Sequence, residues 1–439
     1  MNKKVTILGA GLVVKPMVDY LAKHGYEITV ADIAFSKAKK LTDNHTNATP
    51  FQFNINNAEE LDNLVQNSDI VVSLLPAIFH VKIAKKCIKH KKNMVTASYI
   101  SPEMRQLDEA AKKAGIIILN EIGVDPGIDH MSAMKIFHQV EENGGKVISF
   151  MSYCGGLPAP EANTNPLGYK FSWAPKGVLK AAGNGAKYMK NGEIIEVEGK
   201  NLFANYWLVD VDGIGTLEAY PNRNSLDYVD LYNLKDVKTM YRGTFRNISH
   251  CDTWFTLSQM GFYKEDEIFE NLTGTVKEFI LTKMFKLNKG ECLKTFLIEK
   301  FNLSKNGIIL KKFEWLGFFD DSKIPIKKGG AIDVLTAIML EKMSYEKGER
   351  DLLVLHHKFV AKYPNKTQKI TSTMIDYGIP NGDSSMARTV SLPAAIAVRI
   401  ILENKINLTG VYMPTLPEIY EPVLAELENL NIKLIEKFF

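Results

Sequence analysis

Residues 3–32, KKVTILGAGLVVKPMVDYLAKHGYEITVAD, constrain the fold more than any other stretch of the chain. The apolar run Val5 to Leu8 ends in Gly-Ala-Gly. An amphipathic segment with Met17, Val18, Leu21 and Ala22 follows, and a second apolar run, Ile28 to Ala31, stops at Asp32. Strand, glycine turn, helix, strand and acid in that order predict the first βαβ unit of a dinucleotide-binding fold. Gly9 permits a tight turn, and the missing side chain at Gly11 lets the backbone approach a pyrophosphate at the N-terminus of the next helix. Asp32 stands about twenty residues on, where a carboxylate accepts from an adenosine ribose. Val14 replaces the usual third glycine and predicts a helix packed slightly further from its strand. A ligand-free surface turn would explain the glycines but not the strand-helix-strand context.

The alternation continues after Asp32. SKAKKLTDNH reads as a short helix, FQFNIN (51–56) as a strand, AEELDNLVQNS as a helix and DIVVSLLP (69–76) as a strand buried on both faces. Residues 79–91 predict a helix with Val81, Ile83, Ala84, Cys87 and Ile88 on one side. NMVTASYI (93–100) predicts a strand. SPEMRQLDEAAKKAG predicts a helix capped by Ser101 with Pro102 in its first turn. IIILNEIGVDPGIDH (116–130) predicts a strand that runs into a glycine turn. The expected fold is α/β: a Rossmann-type doubly wound parallel sheet, with a second α/β domain built on a mixed sheet and a small helical insert.

Beyond about residue 145, KVISFMSYCGGLPAP, WLVDVDGIGTLEAYPNR, LYNLKDVKTMYRGTFR, RDLLVLHHKFVAKYP and QKITSTMIDYG alternate as strands, while residues 250–345 have helical periodicity. The expected division is a dinucleotide-binding domain at 1–130, completed by 390–439, a substrate-binding and dimerisation sheet domain at 131–250 and 346–389, and a helical insert at 251–345. SLPAAIAVRIILE predicts a helix starting near Pro393 whose apolar face returns to the first sheet.

The bulk composition excludes several functions. A formal charge of +4 over 439 residues, with no basic block interleaved with aromatics, gives no sign of nucleic-acid binding. Cys87, Cys154, Cys251 and Cys292 form no CxxC pair, so neither a metal site nor a disulfide scaffold is expected, and a reducing compartment is. No leader or membrane-spanning run stands out, so the expected location is the cytoplasm, with no membrane partner.

On a doubly wound sheet, ligands lie beyond the carboxyl ends of the strands. Those ends carry Gly9 to Val14, Asp32, Pro76, Ser98-Tyr99 and Gly123 to Asp129. Tyr99 is placed to donate to a substrate or stack on a nicotinamide, and Asp125 to face the nicotinamide end, though Asp-Pro-Gly also marks a turn in its own right. His130 reads as a structural histidine or a base. Cys154, before Gly155-Gly156, has no histidine near it in sequence to activate it. Arg223, Arg242 and Arg246 at strand ends suggest a substrate with several carboxylates, because a guanidinium fork matches a carboxylate in two places.

Taken together, the GxG turn with Pro16 behind it, SLLPAIFH, VTASYISPEM, LNEIGVDPGIDH, SYCGGLPAPEANTNPLGYKFSW, AYPNR, RGTFR, ERDLLVLHHKF, DYG, SSMA and LPAAIA resemble the glutamate-forming saccharopine dehydrogenases, or saccharopine reductases, over almost the whole chain. The resemblance implies nicotinamide-dependent interconversion of saccharopine with L-glutamate and 2-aminoadipate 6-semialdehyde in lysine metabolism, by a homodimer. It also implies cofactor contacts at Gly9, Gly11, Leu12, Val13, Val14, Lys15, Asp32, Ile33, Ala34, Asn54, Ile55, Leu75, Ser98, Val124, Asp125, Pro126 and Ser172. Saccharopine would meet Ser98, Tyr99, Asp125, Arg223, Thr244, Phe245 and Arg246, and Tyr99, Asp125 and Cys154 are the candidate catalytic groups.

The cofactor is NAD or NADP. Well-known members of the family use NADP and carry Cys-Arg-Thr where this chain has Asp32-Ile33-Ala34, and Asp32 favours a ribose 2′-hydroxyl, hence NAD. SWAPKG replaces the family's SWSSRG. The competing functions are another opine or imine reductase, such as a carboxynorspermidine synthase-like enzyme, and a non-catalytic nucleotide sensor. A substrate panel with NADH and NADPH separates the three.

Overall fold

The computed structural model describes residues 3–173, 175–264 and 267–439, so Ala174 of the SWAPKG segment lies outside the described residues. The chain forms two compact units, Met1–Lys146 with Ala361–Phe439, and Val147–Val360. The expected boundaries were 130 and 390. The first unit instead also takes in the helix Ile128–Glu142 and the strand Thr367–Tyr377. The expected helical insert at 251–345 falls inside the second unit.

In the first unit, β1 (Lys4–Leu8), β2 (Glu27–Asp32), β3 (Ala48–Gln52), β4 (Ile70–Ser73), β5 (Asn93–Val95), β6 (Ile117–Leu119) and the strand Gly410–Tyr412 form one parallel sheet. Its order is Gly410–Tyr412, β6, β5, β4, β1, β2, β3, with Leu8 opposite Ala31 on one side and Ser73 on the other. The order reverses between β1 and β4, and that reversal opens the crevice in which such sheets bind ligands. The helices α1 (Lys15–Lys23), α2 (Phe35–Thr42), α3 (Ala58–Gln66) and α4 (His80–His90) connect the early strands. Each follows from its sequence. The Asn57 side chain caps α3 by accepting from the N–H groups of Glu59 and Glu60. Ile83, Ala84 and Cys87 bury one face of α4, so Cys87 is core.

Some elements differ from expectation. The strand expected at 51–56 is Ala48–Gln52, because Asn54 turns the chain by accepting the Asn56 N–H through its side chain at 3.0 Å. The strand expected at 93–100 stops at Val95. The helix opened by Ser101 breaks into Pro102–Arg105 and Asp108–Ala114. The C-terminal helix runs from Ser385 to Leu402 with Pro393 inside it, and packs on α1 and on β4 and β5. It is long and apolar enough to span a membrane, yet 83% of it is buried within the protein. The tail forms a helix, Pro417–Asn429, and a strand, Ile435–Phe438, antiparallel to Thr367–Tyr377.

The second unit is built on a mixed sheet. β7 (Lys146–Pro158) pairs in parallel with the strand Thr239–Arg246, bringing Cys154 opposite Thr244. Thr239–Arg246 pairs antiparallel with Gly215–Pro221, which pairs antiparallel with Trp207–Val211. Helices His250–Met260, Leu293–Phe301, Ile308–Leu316 and Ala331–Lys342 supply the helical segment expected near 250–345.

Candidate active site

The glycine turn has the geometry its composition predicts. Gly9 adopts φ +109°, and a Cβ there would meet the Leu74 backbone at 3.1 Å, on the β4 side of the crevice. A Cβ at Gly11 would meet nothing within 4 Å. The turn therefore leaves open space before α1, the room a pyrophosphate needs. Val14 is fully buried at the start of α1, and Leu12 is 71% exposed. Lys15 reaches Asp19 at 2.7 Å and Asp383 at 3.0 Å.

Asp32 is anchored. Its two carboxylate oxygens accept the Ala10 and Ala34 N–H groups, each at 2.8 Å. The side chain thus ties the end of β2 to the glycine turn, a role invisible in the sequence. Ile33, beside it, is 68% exposed. The Phe53 N–H donates to the Asp32 carbonyl at 2.9 Å, which holds the following Asn54-Ile55 segment near the same end of the sheet. Leu75 and Ile55 pack in part against the core.

The loops after β5 and β6 meet. The Tyr99 hydroxyl donates to Asp125 Oδ1 at 3.0 Å, bringing two of the expected catalytic groups together. Glu121, which sequence reasoning missed, fixes this pair. At φ +57° its N–H donates to the Ser98 carbonyl at 3.1 Å, while its carboxylate turns back to accept the Ile100 N–H at 2.9 Å. Tyr99 is therefore held from both sides by one residue. The other Glu121 oxygen pairs with His130 Nε2 at 2.8 Å, so His130, fully buried, serves this scaffold. The Val124-Asp125-Pro126 turn closes on Gly127, where a Cβ would overlap the Gly123 carbonyl, so only glycine fits. Its positive φ needs glycine as well.

The second unit holds the remaining expected residues. Arg246 is 5% exposed, its guanidinium lying 4.8 Å from the Tyr169 ring centre and 5.9 Å from that of Tyr220. One of its terminal nitrogens donates to the Phe245 carbonyl at 2.8 Å, and Nε has no hydrogen-bond partner among the described residues. Glu218 lies directly opposite on the neighbouring strand. Its carboxylate is diverted to the helix start at 249–251, accepting the Ser249 N–H at 2.6 Å and the Cys251 N–H at 2.7 Å. Lys312, buried on the helix Ile308–Leu316, donates to the Ser249 carbonyl at 2.7 Å. Burial pushes its ammonium down to about 8. Among the described residues no carboxylate pairs with Arg246.

Phe245 turns inward instead and stacks on Tyr153, with ring centres 5.1 Å apart. Arg223 is exposed at φ +54°, and Thr244 is half-buried. Arg242 lies over the Tyr228 ring at 4.4 Å. Cys154 is buried and in no disulfide, and the buried Ser172 hydroxyl has no hydrogen-bond partner among the described residues. A separate groove of about 610 Å³ lies between α1 and the helices Ser385–Leu402 and Pro417–Asn429. Within its lining, Tyr20 is bonded to Glu426, and Arg388 pairs with Asp376 behind it.

Comparison with known proteins decides the family. Residues 5–119 match the saccharopine dehydrogenase NADP binding domain, and residues 123–432 the saccharopine dehydrogenase C-terminal domain. The chain belongs to the saccharopine dehydrogenase family. A member from Saccharomyces cerevisiae, named saccharopine dehydrogenase (NADP(+), L-glutamate-forming), is 39% identical over 100% of this chain and 99% of its own. A member of the same name from Pyricularia oryzae is 38% identical over 99% of both chains. The solved apo saccharopine dehydrogenase (L-Glu forming) from Saccharomyces cerevisiae superposes with a TM-score of 0.90 at 39% identity, covering 100% of both chains.

Proposed function

We propose that the chain is an oxidoreductase that interconverts saccharopine with L-glutamate and 2-aminoadipate 6-semialdehyde, with NADP as cofactor. The observation that carries this reading is Arg246. A buried guanidinium without a counter-charge is costly unless a ligand supplies the anion, and saccharopine carries three carboxylates. A mainly cationic polyamine would worsen the imbalance.

The first unit suits a dinucleotide. Gly9 and the open space at Gly11 admit the pyrophosphate, Leu12 to Lys15 and Asp32 to Ala34 would hold the adenosine half, and Asn54, Ile55, Leu75, Ser98 and Val124 to Pro126 would continue the site. The family resemblance adds Ser172 to the cofactor-binding residues. When bound, the cofactor supplies the hydride acceptor. An unengaged Asp32 would select against a 2′-phosphate, but two backbone N–H groups already spread its charge. This reconciles Asp32 with the NADP in the relatives' names.

Arg246, with Arg223, would grip carboxylates and fix the glutamyl carbon for transfer; such orientation carries much of an enzyme's rate. The secondary amine must lose a proton before hydride leaves, and water must then be activated to attack the imine. The hydrogen-bonded Tyr99 and Asp125 are candidates to hold that proton or position that water, and Cys154 is the third candidate group. A cytoplasmic homodimer is the assembly this reading implies, and four cysteines that form no disulfide among the described residues suit a reducing compartment. The test is the initial rate of saccharopine oxidation under NADP and NAD. Turnover with NADP supports the reading, and tight cofactor binding without turnover on saccharopine overturns it.

A further inference from the structure

His80 opens α4 with its imidazole buried, 3% exposed. Ser73 Oγ lies 2.8 Å from Nδ1, and Ser98 Oγ lies 2.8 Å from Nε2. Burial pushes the ring's pKa down to about 4, so at neutral pH it carries one proton and offers one donor and one acceptor.

The surroundings fix which nitrogen holds that proton. Ser73 is fully buried, and the contact to Nδ1 is its hydroxyl's single hydrogen bond among the described residues. If Nδ1 carried the proton, Ser73 would accept it and its own hydroxyl proton would be stranded in the core, which is unfavourable. Ser73 therefore donates to Nδ1, and the ring proton sits on Nε2. Thr96 Oγ1, 3.4 Å from Nε2, does not decide between the tautomers, because the one proton or lone pair on that nitrogen goes to the nearer Ser98. Nε2–H then donates to Ser98, which leaves the Ser98 hydroxyl proton free to point elsewhere.

We propose that His80 is a positioning residue: relayed from Ser73, it fixes Ser98 as a hydrogen-bond donor to an acceptor oxygen of the bound ligand. The inference rests on Ser98 lining the site described under the proposed function. The oxygen is a substrate carboxylate or the nicotinamide carboxamide, and the two are separable by experiment.

Nitrogen-15 NMR of the imidazoles in the full chain at neutral pH reads the tautomer directly, without cofactor or turnover. The expected result is an Nε2–H ring for His80. Ser73→Ala removes the donor to Nδ1 and with it the preference, so the ring should become a mixture of the two tautomers. An Nδ1–H ring in the unaltered chain overturns the proposal.

Kinetics supply the second reading. His80→Phe should lower kcat/KM for saccharopine about tenfold, the worth of roughly one hydrogen bond. His80→Gln, whose amide can still donate to Ser98, should restore most of the loss. In a Ser98→Ala background, His80→Phe should change kcat/KM less than about twofold, because its partner is gone. Equal losses in both backgrounds overturn the relay. A weakened NADP Kd in Ser98→Ala assigns the acceptor to the carboxamide, and a raised saccharopine KM assigns it to the carboxylate. If Ser98→Ala alters neither, Ser98 lies outside the site and the inference falls with that part of the proposed function. If Ser98→Ala is impaired but the tautomer is Nδ1–H, only the inference falls.

Discussion

Arg246 sits in a position where function and stability oppose one another. Removing a buried cation that has no internal counter-charge should leave the fold as stable or more so, while losing the proposed charged contact to substrate would cost about 2–5 kcal/mol. Arg246→Met is therefore expected to keep or raise Tm while kcat/KM for saccharopine falls at least roughly thirtyfold. Arg246→Lys should rescue little, because an ammonium cannot lie as a plane between Tyr169 and Tyr220. Steady-state kinetics alongside thermal melts check both. At Asp32 the expectation is different. Asp32→Ser releases the Ala10 and Ala34 N–H groups, so it should weaken NADP and NAD alike, and a clean switch in preference would show that the carboxylate reads the ribose instead. The glycine turn and Asp32 were legible in the sequence because their meaning is local. The anchoring of Asp32 was not, since a carboxylate pointing back to its own turn has the same residue pattern as one facing a ribose.

At the scale of elements, the site depends on strands that end early. Apolar character continues through VTASYI, yet pairing between β5 and β6 reaches only Val95 opposite Leu119, which frees Ser98 and Tyr99 to form a loop. Periodicity cannot reveal such an ending. What stops the strand is Glu121, whose positive φ and buried carboxylate take over the backbone groups on either side of Tyr99. Likewise His80 and Glu121 lay in plain sight within SLLPAIFH and LNEIGVDPGIDH, but their roles come from partners many residues away. Glu121→Gln should retain an acceptor for Ile100 but weaken the tie to His130. A several-fold fall in kcat with NADP affinity preserved is the expected outcome, measured by turnover and by fluorescence titration of the cofactor. Loss of cofactor binding without loss of kcat would place Glu121 in a different role.

For the molecule as a whole, buried histidines set the acid limit. Burial holds His80 and His356 down to about 4, and His250 well below its ordinary value, with Arg246 and Lys312 adding to the last. These rings stay neutral in the folded state, whereas the unfolded chain takes up protons below about 6.5. Stability should therefore be fully present above pH 6.5 and drop as pH falls toward 4, by on the order of 3 kcal/mol for each of the first two rings. Urea midpoints between pH 7 and 4.5 test this, and His80→Gln should flatten the slope by one ring's share. His80 lies in the first unit, and His356 and His250 lie in the second, so both units should contribute.

The diversion of Glu218 to a helix start reaches beyond catalysis. A protein interior that keeps a cation and sends its nearest acid elsewhere will welcome any small anion of suitable shape. Short dicarboxylates such as glutarate or succinate should raise the melting temperature of the enzyme and compete with saccharopine, and citrate or phosphate in a storage buffer would hide part of the affinity that a guanidinium without a counter-charge confers.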